Sequence, residues 1–161
     1  MKQQNPEKKR VLVADDDQSI RQLVCTIVRR EQLDVDCAGD GVEAIEFLKE
    51  NEYSVILLDL MMPRLDGFGV IEYLKEHRPS MKPVVLVITA YADQKFKEVD
   101  PDIVSGVLRK PFEVADLGNL VRLCVHGLDE LAQTQIAFSH ESAIRDLGER
   151  YWASDDRNRD N

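Results

Sequence analysis

Val11-Leu-Val-Ala-Asp-Asp-Asp17 is a short apolar run that stops abruptly at three acids. A run of this length fits a strand buried on both faces that delivers carboxylates at its C-terminal end. Working outward, the same arrangement recurs. Val55 to Leu58 ends at Asp59, Val84 to Ile88 ends at Thr89, and Val104 to Leu108 ends at Arg109 and Lys110. Val35 to Ala38 is a weaker run of the same kind. Between these runs the apolar spacing changes. Ile20, Leu23, Val24, Ile27 and Val28 recur at offsets of three and four, which marks one face of a helix. Ala44, Ile45 and Leu48 follow Gly41, and Phe68, Ile71 and Leu74 follow the Pro63 loop. Asp93 to Val99 predicts a short helix, limited by Pro101. Leu117, Leu120, Val121, Cys124, Val125 and Leu128 predict a last, longer one. Strand and helix thus alternate along the chain, which predicts an α/β fold with a parallel sheet covered on both faces. Sites in such sheets form at the carboxyl ends of strands. Asp15, Asp16, Asp59, Thr89 and Lys110 are therefore the candidate functional residues.

The chain has 161 residues, enough for one compact domain plus an appendage. Its net charge is -9. That argues against a nucleic-acid or anionic-membrane surface, both of which need clustered positive charge. No apolar run approaches the roughly 18 residues of a membrane span. Met1 to Arg10 is polar and lacks the apolar core of a signal peptide. Cys25, Cys37 and Cys124 lie within apolar patterns and form no C-x-x-C pair. They read as small buried hydrophobes, with a reducing, cytoplasmic location as the default. His77, His126 and His140 show no metal-ligand spacing and read as surface residues.

Any one strand-end acid could be a helix N-cap or a turn residue. The combination points to chemistry. Carboxylates held close repel one another and raise the cost of ionisation. A hard divalent cation resolves that conflict, and Mg²⁺ (or Mn²⁺) takes oxygen ligands, including one or two carboxylates. Asp16 and Asp59 suit direct ligation, and Asp15 suits orienting a metal-bound water. Phosphoryl transfer is mostly positioning plus neutralisation of charge on the equatorial oxygens. The metal, the Thr89 hydroxyl and the Lys110 ammonium would each take one oxygen. Asp59 would then be the nucleophile, forming an acyl phosphate.

These segments resemble the response-regulator receiver family over roughly Lys9 to Leu128. Val11 to Arg21 is similar to its first strand and acid pair. Leu57-Leu-Asp-Leu-Met-Met-Pro-Arg-Leu-Asp-Gly67 is similar to its phospho-acceptor segment. Ile88-Thr-Ala90 resembles its Ser/Thr switch, and Lys110-Pro-Phe112 its lysine motif. The resemblance implies a flavodoxin-like, doubly wound five-stranded sheet of order 2-1-3-4-5. It implies Asp59 as phospho-acceptor, Asp16 as a metal ligand with Asp15 as the supporting acid of the metal site, and the Met61 backbone carbonyl as a further metal ligand. It implies Thr89 following the phosphoryl group, a small Ala90 leaving access open, and a cis Lys110–Pro111 bond. The implied partners are a sensor histidine kinase or phosphotransfer protein and a downstream protein, with no nucleic acid and no membrane. Two departures bear on switching. Val107 stands where the family often carries an aromatic residue, and Pro101 interrupts the segment between Thr89 and Lys110.

The expected organisation is a leader over 1–8, a stand-alone receiver over 9–130, an extra helix over 131–152 and a disordered tail over 153–161. Ile144, Leu147 and Tyr151 share a helical face beside Trp152, suited to packing on the domain or to a partner or homodimer contact. A rival reading is a phosphatase of the haloacid-dehalogenase type, for which Asp15 and Asp17 give a D-x-D spacing. That reading leaves Asp59 without a role and lacks a late acidic pair after the lysine.

Overall fold

The computed structural model describes residues 9–91 and 96–134, with only the backbone described for Phe96 and for 128–134. The leader, Asp93, His140 and the Ile144–Trp152 face lie outside the described residues. Five strands form one parallel sheet: β1 (Arg10–Ala14), β2 (Asp34–Ala38), β3 (Val55–Leu58), β4 (Val84–Thr89) and β5 (Val104–Arg109). Their order is β2-β1-β3-β4-β5, as the resemblance implied. The helices are α1 (Gln18–Arg30), α2 (Gly41–Glu50), α3 (Gly67–Glu76) and α4 (Val114–Thr134). α4 runs past Leu128, where the apolar periodicity fades.

Alternation along the strands divides the core into two layers. Val11, Val13, Val55, Leu57, Val84, Leu86 and Ile88 pack with Val24, Ile27 and Val28 of α1 and Leu117, Val121 and Val125 of α4. Leu12, Ala14, Ile56, Leu58, Val85 and Val87 face Ala44 of α2 and Val70, Ile71 and Leu74 of α3. Successive strand side chains point to opposite faces, so a sheet covered on both sides needs apolar residues at every position. That requirement is why the strands read as unbroken apolar runs.

Two expectations are corrected. Leu23 is 38% exposed, and Cys25 takes its place on the inward face of α1. The reason is angular: Cys25 lies one residue from Val24 on the side that meets the sheet. The cysteines are not three separate small hydrophobes. Cys25 and Cys37 form a disulfide, with Cα atoms 6.9 Å apart, while Cys124 is free and buried. α1 packs across β2, so tertiary contact joins positions that no local pattern links. The reducing location inferred from unpaired cysteines loses that support. Of the short helix expected over Asp93–Val99, residues 93–95 lie outside the described residues, and the described part holds a 3-10 turn, Phe96–Glu98. Pro101 disfavours helical backbone at Asp100 before it.

Candidate functional site

The chain steps from β1 to β2 on one side and then crosses back from β2 to β3 on the other side of β1, so the strand order reverses and a crevice opens at the carboxyl ends of β1 and β3. Parallel pairing sets two acids side by side there. Asp59 N donates to Ala14 O at 2.8 Å, continuing the β1–β3 ladder one step beyond the strands. Asp15 N donates to Ala38 O at 3.1 Å on the other side. Asp15 is 4% exposed and Asp59 6% exposed, so both acids are buried, whereas Asp16 faces solvent. One carboxylate oxygen from each of Asp15, Asp16 and Asp59 lies within 4.8 Å of the others. The third acid of the run does something else. The Asp17 carboxylate caps α1, accepting from Ser19 N at 2.8 Å and Ile20 N at 3.1 Å. The cap gives the second acid of the D-x-D spacing a structural role.

Lys110 reaches in from the end of β5. Its Nζ donates to Asp15 Oδ2 at 2.6 Å and to Asp59 Oδ2 at 3.1 Å. The Lys110–Pro111 peptide is cis, matching the expectation from the resemblance. Thr89, fully buried at the end of β4, stands next to it: Lys110 N donates to Thr89 O at 2.9 Å. The Thr89 hydroxyl accepts from Tyr91 N at 3.3 Å. Ala90, Tyr91 and Met61 are exposed at the rim.

The electrostatics are unbalanced. Burial pushes the Asp59 carboxyl above its ordinary range; Lys110 opposes this, and the neighbouring Asp15 charge reinforces it. Burial works against the Lys110 ammonium, but the hydrogen bond it donates to Asp15 and the charges of Asp59 and Asp15 outweigh it and hold its pKa up. One lysine thus serves two buried carboxylates, with a third acid alongside. A surplus of hard oxygen donors fits a small divalent cation, with Asp15, Asp16 and Asp59 able to hold it directly or through water.

The structure brings Asp15, Asp16, Asp59 and Lys110 together, with Thr89 adjoining through the β4–β5 ladder. Sequence reading missed the residues that brace this cluster. Arg21 Nη1 donates to Asp15 O at 2.7 Å, fixing the acid loop from α1. Asp40 caps α2, accepting from Glu43 N at 3.0 Å, while Glu43 Oε2 accepts from Gly39 N at 2.7 Å. The Asp-x-x-Glu spacing before an apolar helix was the signal available for that cap. Nothing in the sequence pointed to Asp40 also bonding Arg64.

Known proteins agree with this architecture. The family model for the response regulator receiver domain matches residues 11–122. A probable transcriptional regulator, ycf27, of Porphyridium aerugineum is 32% identical over 125 residues, covering 77% of this chain and 51% of that protein. This chain therefore spans about half the length of that relative. The receiver domain of a Francisella response regulator superposes with a TM-score of 0.66 at 30% identity, covering 75% of this chain and 99% of that one. The response regulator TrrA of Thermotoga maritima, solved in complex with Mg²⁺ and BeF, gives a TM-score of 0.64 at 25% identity, covering 72% and 98%. With the sheet order, the acid crevice and these matches in hand, the chain belongs to the response regulator receiver domain family of two-component signalling.

Proposed function

We propose that this chain accepts a phosphoryl group on Asp59 in a Mg²⁺-dependent reaction, from a phosphohistidine on a sensor kinase or phosphotransfer protein. The observation that carries the reading is Lys110 Nζ spanning Asp15 and Asp59 beside a third acid, at the open end of the sheet. Asp59 is the nucleophile. A carboxylate oxygen bonds to phosphorus, the P–N bond to the donor imidazole breaks, and the freed imidazole nitrogen takes up a proton. Lys110 already contacts Asp59 and would turn from the carboxylate to a phosphoryl oxygen. The Thr89 hydroxyl, at the end of the adjoining strand, would take another. Asp15, Asp16, Asp59 and the Met61 carbonyl would hold the cation, which when bound neutralises charge on the transferring group. The beryllofluoride and magnesium complex of the Thermotoga protein supports that assignment by analogy.

Output goes, in this reading, through a protein surface that responds to Thr89. The named relative is a probable transcriptional regulator of which the match covers 51%, and its output stays with that protein. Among the described residues no helix is long and apolar enough to cross a membrane. We place the reaction in the cytoplasm, where a kinase would supply the phosphoryl group. The test is labelling of the full chain with Mg²⁺ and a small phosphodonor. One acyl phosphate on Asp59 is expected, lost in Asp59→Asn. Unchanged labelling in that variant, or label on Asp15, overturns the assignment.

A further inference from the structure

The loop between β3 and α3, Leu60–Asp66, carries the Met61 carbonyl and follows directly from Asp59. It is held at several points. Gly67 N donates to Leu60 O at 2.9 Å and closes the loop on itself. Gly41 N, at the start of α2, donates to Leu65 O at 2.9 Å. The approach is close: a Cβ on Gly41 would stand 2.4 Å from Leu65 O. Between these two bonds lies Arg64, whose φ of 64° is a left-handed conformation uncommon for a residue with a side chain. Its guanidinium grips Asp40 Oδ2, with Nε at 2.7 Å and Nη2 also bonded. Asp40 is 7% exposed, and its other oxygen caps α2. One buried carboxylate thus joins the start of α2 to the loop that leaves Asp59.

We propose that Asp40 and Arg64 form a positioning pair, which sets the conformation of the Leu60–Asp66 loop and through it the placement of the Asp59 carboxylate and the Met61 carbonyl. The inference rests on the function proposed above and adds two residues to it that touch neither metal nor phosphoryl group. A cap alone needs one oxygen of Asp40. The fork from Arg64 uses the second, and it comes from the loop residue with the least comfortable backbone. Burial acts to raise the Asp40 pKa, but the Glu43 amide and Arg64 outweigh it and hold the carboxyl below its ordinary range. The group is therefore ionised and available to Arg64 at neutral pH.

The test uses the full chain and four variants: Asp40→Asn, Arg64→Gln, Arg64→Lys and the double Asp40→Asn, Arg64→Gln. Asn retains a good N-cap, so α2 survives the loss of charge. Mg²⁺ binding is read from amide shifts in a titration, and loop order from amide exchange in EDTA. Each of the first two variants is expected to weaken Mg²⁺ binding about 5-fold, with the double no worse than either alone. Arg64→Lys recovers part of the loss. The Gly41 and Gly67 amides exchange faster in the variants, while those of β1 and β4 keep parental rates. Parental Mg²⁺ affinity in both single variants overturns the proposal, whatever the loop amides do. So do losses that add in the double, or faster exchange throughout the sheet. A parent chain that binds no Mg²⁺ and takes no label defeats the functional reading instead; exchange in EDTA still reports whether the pair orders the loop.

Discussion

Lys110 faces more negative charge than it can answer. It sits between Asp15 and Asp59, both buried, and Asp16 adds a third acid at the mouth. The cost falls visibly on Asp59, whose pKa is raised by burial first and by Asp15 among the charges. The linkage sign follows. A carboxyl whose folded pKa exceeds its unfolded value contributes stability below the unfolded value of about 3.8, and loses it as pH rises through the folded pKa. Asp59→Asn should therefore stabilise the metal-free chain at pH 7, by on the order of 1 kcal/mol. The gain should shrink toward zero as the pH falls to that of the unfolded carboxyl. Urea melts in EDTA at several pH values would measure it; a variant less stable than the parent at pH 7 would show that the charge is structurally required. Asp16 is different because it is exposed. Asp16→Asn should match the parent in EDTA within about 0.5 kcal/mol, as surface substitutions do. If Asp16 helps hold the proposed cation, Mg²⁺ should raise the melting temperature of the parent and not that of the variant. A thermal scan with and without Mg²⁺ checks both halves of that expectation.

At the scale of elements, the site depends on how tightly α3 begins after β3. A Cβ on Gly67 would lie 2.4 Å from Asp59 O and 2.7 Å from the Leu60 Cα, both backbone atoms that cannot swing aside. Gly67→Ala must push the start of α3 away from the strand end. A loss of about 1–3 kcal/mol is expected, typical of overpacking against fixed neighbours. Labelling of Asp59 should fall with it even at temperatures where the variant is fully folded. A urea melt paired with a labelling time course separates the two effects; full labelling in a folded variant would mean that the loop tolerates the shift. The cap of α3 is independent of this contact, since Asp66 accepts from Gly69 N at 3.0 Å.

For the whole molecule, the question is how an event at Asp59 reaches a surface. Val107 on β5 is partly buried and branched at Cβ, and it cannot swing as an aromatic ring would. Thr89 is buried and its carbonyl holds Lys110 N, so a movement at either is shared with β5. The 3-10 turn Phe96–Glu98 lies between β4 and β5, within the segment read as a short helix. A beryllofluoride mimic on Asp59 should therefore change amide exchange over Val104–Arg109 and the Phe96–Glu98 turn together, by about 5-fold or more. β2, at the far edge of the sheet, should be unaffected. Equal exchange in both states across β5 would move the output surface elsewhere.

The sequence by itself determined the alternation of strands and helices, the layering and the strand-end acids. These follow from local rules: unbroken apolar runs where both faces are covered, offsets of three and four where one face is, and acids where a strand meets its loop. It also carried the motif order that the family resemblance rests on. Tertiary structure alone decided the rest. Whether Asp17 serves the site or caps α1 depends on where the chain turns, which one residue of spacing does not reveal. Leu23 and Cys25 exchange places because the angle at which α1 meets the sheet picks between adjacent positions. The Cys25–Cys37 bond and the Asp40–Arg64 grip join residues 12 and 24 positions apart. Such pairings are created by the docking of one element on another, and periodicity within an element carries no information about them.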